Sequence, residues 1–201
     1  MNGQKRQRAL VSVTDKRNLI EFAGLAANGW EIISTGGTAK SLEALSIPVT
    51  PVERVTMFPE MLGGRLKTLH PNIFGGILGR RENPDDMAAL AEYNIDLIDV
   101  VAVNLYNFAG KPDIEQIDIG GPSLIRAAAK NSTSTVPLID PDDYASTIAE
   151  LLATGTLTMD RREYLVMKVF KKTAAYDQAI LEWMLRKKAE YETFLAPAAT
   201  D

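Results

Sequence analysis

Residues 97–105 (LIDVVAVNL) constrain the chain more than any other stretch, because they are apolar almost throughout, broken only by Asp99 and Asn104. A strand with one wet face alternates apolar and polar residues; a continuous apolar run marks a strand covered on both faces, the habit of parallel sheets. Residues 9–13, 30–34 and 135–139 read as further short strands, and 47–52, with two prolines, as an edge strand at best. Between them apolar residues recur at helical spacing. Leu19, Phe22, Ala23 and Ala26 form one such set, with Thr14 or Asp15 available as N-cap and Asn28-Gly29 as the stop. Other helices are expected at 38–45, 84–93, 120–130 and 141–153, and residues 159–188 are helical only. The fold class is therefore α/β, a mostly parallel sheet with helices on both faces. It occupies about 8–155 of a single domain spanning 1–201, followed by a helical C-terminal extension (156–188) and a tail (189–201).

Composition narrows the chemistry. The chain has 201 residues, and at ~150 residues per domain that suits one α/β domain with an appendage. Cysteine is absent, which excludes disulfides, thiolate zinc sites and a cysteine nucleophile. His70 is the single histidine, so no multi-histidine metal centre fits in one chain and none is expected. With 22 basic against 26 acidic residues, the net charge of -4 speaks against a general nucleic-acid binder. No apolar stretch approaches the ~20 residues of a membrane span. The run at 9–13 is too short for a signal-peptide core, so the cytoplasm is the expected compartment.

Four motifs carry polar chemistry where strands give way to helices or loops. Ser34-Thr35-Gly36-Gly37-Thr38 places glycines and hydroxyls at a helix start, either a phosphate cradle or a capped turn. Ser12, Thr14, Asp15 and Lys16 follow the first strand, and in a parallel sheet the two strand ends share one rim. Residues 54–71 show little periodicity, and Arg65, Lys67 and Thr68 lie there beside Gly63 and Gly64. They suit an anionic ligand or form a solvated surface, while His70 before Pro71 reads as structural or as an acid–base group. Asn104 and Tyr106 end the strongest strand, facing a crevice or capping it. Asp118 precedes Ile119-Gly120-Gly121-Pro122, where free N–H groups suit an oxyanion or a plain capped helix; Lys130 stands at that helix's far end.

Taken in order, SVTDK, STGGTAK, FPEMLGGRLKTLHP, GGILGRR, VAVNLY, IDIGGPSLIRAAAKN and DDY closely resemble the inosine monophosphate cyclohydrolase domain of the bifunctional purine-biosynthesis family. The resemblance runs from about residue 8 to 186. It implies a three-layer sandwich of the methylglyoxal-synthase-like type. It also implies dehydrative closure of 5-formamidoimidazole-4-carboxamide ribotide to inosine monophosphate, without cofactor. The substrate is a small ribonucleotide; a homodimer and a separate formyltransferase supplying that substrate are the implied partners, with neither nucleic acid nor membrane.

The family's substrate-binding positions fall on Ser12, Thr14, Asp15, Lys16, Thr35, Gly36, Gly37, Thr38, Arg65, Leu66, Thr68, Val103, Asn104, Ile119 and Gly120. Its catalytic positions fall on Lys130 and Asp118, for proton transfer at the carboxamide, and on Lys67 and Tyr106, near the formyl group. The chain departs from the pattern at Asn107, Phe74 and Ser132, and in a shortened segment at 108–115. The competing readings are a nucleotide-sensing module, like the regulatory domain of carbamoyl phosphate synthetase, and a methylglyoxal synthase. The first needs only the phosphate cradle; the second leaves IDIGG and KTLH idle.

Overall fold

A computed structural model describes residues 6–195, with the backbone alone at 190 and 192–195. Five parallel strands form one sheet in the order β3-β2-β1-β4-β5: β1 (Arg8–Val11), β2 (Glu31–Ser34), β3 (Thr50–Pro51), β4 (Val100–Ala102) and β5 (Val136–Leu138). Alternate residues of each central strand enter two separate cores. Ala9, Val11, Ile32, Val100 and Ala102 face one; Leu10, Ile33 and Val101 face the other. Helices α1 (Phe22–Ala27), α2 (Gly36–Ala44) and α7 (Tyr144–Thr154) supply the first core with Phe22, Leu42 and Tyr144. Helices α3 (Val52–Thr56), α4 (Pro71–Leu78) and α6 (Gly120–Lys130) supply the second with Val52, Ile73 and Leu124. Both sheet faces are therefore dry, which is why β4 has no polar residue. Helix α5 (Pro84–Glu92) starts as expected, with Asn83 accepting the Asp85 and Asp86 amides.

The two polar residues that interrupt the run at 97–105 bracket the strand. Asp99 stands at its entrance, accepting the Arg8 N–H at 2.7 Å and an Arg81 N–H at 2.7 Å. Asn104 stands beyond its exit. Several expectations change in detail. Thr14 and Asp15 do not cap the first helix, which begins with a 3-10 turn at Leu19–Glu21 after Asn18; their amides are taken by Asn104. The apolar residues 73–78 belong to α4. His70 caps that helix, its Nδ1 accepting the Asn72 N–H at 3.1 Å, so the structural reading of this residue holds. Close contact of α4 with the 96–98 segment depends on Gly76, where a Cβ would lie 2.5 Å from the Asp96 carbonyl. No helix among the described residues is long and apolar enough to cross a membrane.

Helix α8 (Met159–Leu195) continues beyond the expected end at 188, because no glycine or proline interrupts it; the rest of the expected tail, 196–201, lies outside the described residues. Leu165 packs into the first core, Val169 into the second, and Tyr176 and Trp183 into a third aromatic cluster with Phe108. Ion pairs fix the helix beside the end of β5. Lys168 Nζ lies 2.7 Å from Asp143 Oδ2 and 3.0 Å from Asp140 Oδ2, and Lys172 Nζ lies 3.0 Å from the same Asp140 oxygen.

Burial by itself would raise the Asp140 carboxyl, but hydrogen bonds from Lys168 and Lys172 outweigh it and hold the group at about 2, against an ordinary 3.8. A carboxyl depressed in the folded state stabilises that state above its unfolded value. The contribution is lost as pH falls from 3.8 through about 2. Urea unfolding followed across that range is expected to show a steeper acid loss of stability in the wild type than in Asp140→Asn. Equal slopes would remove the role assigned to this cluster.

Candidate active site

The parallel arrangement puts the carboxyl ends of β1, β2 and β4 on one rim, and a cleft of about 1050 Å³ opens there. Two helix N-termini point into it. α2 begins at Gly36, whose φ of 42° lies in the left-handed region open to glycine. The helix starts two residues earlier than expected, and its first-turn N–H groups at Gly36 and Gly37 have no partner within the helix. α6 begins at Gly120 with the same surplus of donors. Such termini attract anions.

The floor is a hydrogen-bonded lattice joining β1, β2 and β4. Thr38 Oγ1 donates to the Val13 carbonyl at 2.9 Å and accepts the Val13 N–H at 3.1 Å. Lys16 Nζ donates to Thr38 Oγ1 at 2.8 Å and to the Val13 carbonyl, and burial pushes its pKa down. The Ser12 and Thr35 hydroxyls share a hydrogen bond of 2.9 Å. Asn104 Oδ1 accepts the Thr14 and Asp15 amides at 2.7 and 2.9 Å, and its Nδ2 donates to the Asp15 carbonyl at 2.9 Å. The Asn104 carboxamide thus clamps the turn that presents Thr14 and Lys16.

The wall formed by residues 58–70 is more ordered than its lack of periodicity suggests. Met61 and Leu66 pair as an antiparallel bridge around a 3-10 turn, Leu62–Gly64, whose three residues all have positive φ. This turn sends Arg65, Lys67 and Thr68 to the cleft. Each cation meets a carboxylate: Arg65 lies 2.8 Å from Glu115 and Lys67 3.3 Å from Glu60. Glu60 and Glu115 line the cleft and were not singled out in the sequence: Glu60 sits inside the FPEMLGGRLKTLHP motif without an assigned role, and Glu115 belongs to no motif. Glu115 sits in the shortened 108–115 segment, which forms part of the rim.

On the opposite wall, Asp118 Oδ1 accepts the Gly121 N–H at 3.0 Å, leaving Oδ2 free of that bond. The expectation that the N–H groups from Ile119 to Gly121 are all free is corrected: Gly121 is committed to Asp118, while Ile119 and Gly120 still line the cleft. Tyr106 lines it too, with its hydroxyl buried and without a hydrogen-bond partner. Burial first, then the neighbouring Tyr176 hydroxyl and the Asp118 charge, push its pKa well above 10.0, so the phenol keeps its proton at neutral pH.

Four expected residues lie elsewhere. Asp15 pairs with Arg17 at 2.8 Å and lines a smaller neighbouring cavity of about 360 Å³. The Leu66 side chain does not line the cleft because Leu66 is held in the bridge to Met61, and the Val103 side chain is buried in the second core. Lys130 is exposed at the last residue of α6, about 15 Å along the helix axis from Gly120, and does not line the cleft of its own chain. The remaining expected residues meet in one cleft.

The family model for the MGS-like domain matches residues 18–132, and that for the AICARFT/IMPCHase bienzyme matches 128–200. The chain belongs to the MGS-like domain family, and the resemblance read from its motifs holds. The bifunctional purine biosynthesis protein PurH of Streptococcus gordonii is 48% identical over 194 residues, covering 92% of this chain and 38% of the relative. PurH of Pediococcus pentosaceus is 51% identical over 186 residues, covering 88% and 36%. The chain thus spans less than two fifths of the length of these curated relatives. The crystal structure of ForH superimposes with a TM-score of 0.81 at 37% identity, covering 89% of this chain and 98% of that one.

Gly121 is required by contact: a Cβ there would lie 2.3 Å from Asp118 Oδ2. Gly121→Ala is expected to displace the carboxylate and lower unfolding free energy by about 1–2 kcal/mol. Gly37→Ala, whose Cβ meets nothing within 4 Å, is expected to be neutral or mildly stabilising. Urea denaturation of the two variants checks this, and equal stabilities would contradict the contact argument.

Proposed function

We propose that the chain is an inosine monophosphate cyclohydrolase, closing the ring of 5-formamidoimidazole-4-carboxamide ribotide with loss of water. The observation that carries this reading is the meeting, in one cleft, of an anion cradle with a carboxylate and a protonated phenol. The cradle comprises Lys16, Arg65 and the α2 N-terminus; the second group is Asp118 and Tyr106 beside the free α6 amides. A sensor of phosphate needs only the first.

In this mechanism the ribotide phosphate lies against the Gly36 and Gly37 amides with Thr38 and Lys16 beneath them. Arg65 and Lys67 turn to the substrate as Glu115 and Glu60 give them up. The carboxamide nitrogen attacks the formyl carbon, a C–N bond forms, and Asp118 Oδ2 accepts the nitrogen's proton. Negative charge developing on the formyl oxygen is held by the Ile119 and Gly120 amides, which are fixed in place before reaction. Lys67 and Tyr106 protonate that oxygen to a hydroxyl. A second N–H proton then returns to this pair as the C–O bond breaks and a C=N bond forms, and the hydroxyl departs as water with the proton that Asp118 took up. Proton transfers alone complete the reaction.

Lys130 enters this proposal on the resemblance, and a second copy of the chain would have to present it, since its own cleft lies at the other end of α6. That arrangement makes a specific expectation. Lys67→Ala and Lys130→Ala are each expected to lose ~10²-fold or more in kcat. Mixing the two is expected to restore part of the activity, because mixed dimers contain one cleft with both lysines. No recovery on mixing would confine each cleft to one chain, and full activity in Lys130→Ala would remove that lysine from the chemistry.

The direct test offers the formylated ribotide to the purified chain and follows inosine monophosphate by absorbance. Turnover is expected, and is expected to survive a chelator. Lys67→Ala is also expected to weaken product binding by about 1.5–3 kcal/mol, read by calorimetry, for one charge-assisted hydrogen bond lost. Tight product binding by a wild type that does not close the ring would overturn the reading in favour of a nucleotide sensor.

A further inference from the structure

Helix α8 lies outside the stretch matched by the MGS-like domain model, yet one of its side chains reaches the catalytic wall of the cleft. Tyr176 is buried, 6% exposed, and its hydroxyl accepts the backbone N–H of Asp118 at 2.8 Å across 58 residues of sequence. Its ring stands edge-on to Tyr106 and to Phe108, 6.1 Å between centroids in both cases, and Phe108 stands edge-on to Trp183 at 5.5 Å. Ile117, Leu105 and Ile180 pack around this cluster.

The position matters because of what Tyr176 touches. Asp118 is held at two points. Gly121 N–H fixes one carboxylate oxygen, and Tyr176 fixes the residue's own amide. Ile119 and Gly120 follow directly in the chain, so the bond from α8 fixes the backbone immediately before their N–H groups. Tyr106 shares an aromatic edge with the same ring, and its hydroxyl is buried without a hydrogen-bond partner. One side chain on a remote helix thus touches both residues that the proposed mechanism gives to proton transfer on this wall.

We propose that Tyr176 is a positioning residue for ring closure. Rooted in the α8 aromatic cluster, it sets the Asp118 backbone, the Ile119 and Gly120 amides and the Tyr106 ring in their reactive arrangement. The proposal rests on the cyclohydrolase reading given above. It makes α8 part of the active site as well as a cover for the sheet edge. Its energetic signature differs from that of a substrate contact: a group that aims others, without touching substrate, changes kcat and leaves KM nearly alone.

Tyr176→Phe tests this in the full chain, since it keeps the ring in its stack and removes only the oxygen. The variant is expected to fold, with kcat lower by about tenfold or more and KM within about twofold, because small misplacements of reacting groups are costly. Hydrogen exchange at the Asp118 amide, measured by NMR, is expected to be faster than in the wild type. The shifts that added inosine monophosphate produces at the Ile119 and Gly120 amides are expected to shrink. Wild-type kcat in the variant would overturn the proposal, as would unchanged Asp118 exchange. If the wild type itself left the ribotide open, the cyclohydrolase reading would fall on its own. Unchanged Asp118 exchange and unchanged product-induced shifts would then overturn the positioning role, and altered ones would support it.

Discussion

Because all five strands run parallel and both faces of the sheet are covered, every strand delivers its carboxyl end to the same rim, and the remainder of the molecule follows from that. Backbone groups at strand ends lose their ladder partners, so the chain leaves polar residues there to satisfy them. Asn104 is the clearest case. One carboxamide at the exit of β4 satisfies two amides and a carbonyl of the loop after β1. The same lattice that solves a backbone problem presents Thr14, Lys16 and Thr38 to the cleft.

Two cations of the cleft, Arg65 and Lys67, are held by acids. Arg65 with Glu115 is an exposed pair, worth only about 0–1 kcal/mol, and Lys67 with Glu60 is half-buried. The 3-10 turn at Leu62–Gly64 is a second constraint on the same loop, since Leu62 adopts a positive φ of 56° that side chains rarely favour. The bridge between Met61 and Leu66 holds that turn closed and so directs Arg65 and Lys67 inward.

α8 does two things at once. Leu165 and Val169 pack into the cores on the two sheet faces, and the ion pairs of Lys168 and Lys172 fasten the helix at the end of β5. Farther along, the same helix carries the aromatic cluster that backs Tyr106 and Asp118. A parallel sheet leaves its outer strand in need of cover, and here the cover reaches over to the rim where the cleft opens.

Much of this was legible in the amino-acid order. The double-faced burial of β4 shows in its apolar run, the edge position of β3 in its prolines, the starts of α5 and α6 in their Asn-Pro and Gly-Gly-Pro signals. The cleft's two glycine-rich helix starts were legible for the same reason: N-termini are built from neighbouring residues, and local rules reach that far. What could not be read there were the pairings across distance. Glu115 against Arg65, Tyr176 beneath Asp118, the commitment of the Gly121 amide and the displacement of Lys130 from its own cleft depend on how elements pack, and helical periodicity placed Tyr176 only within a helix. Sequence by itself determined the layers and the rim, because burial periodicity and capping are local. The tertiary structure alone decided which polar groups on that rim face one another, since those distances are set by side chains brought together from segments that have no common pattern.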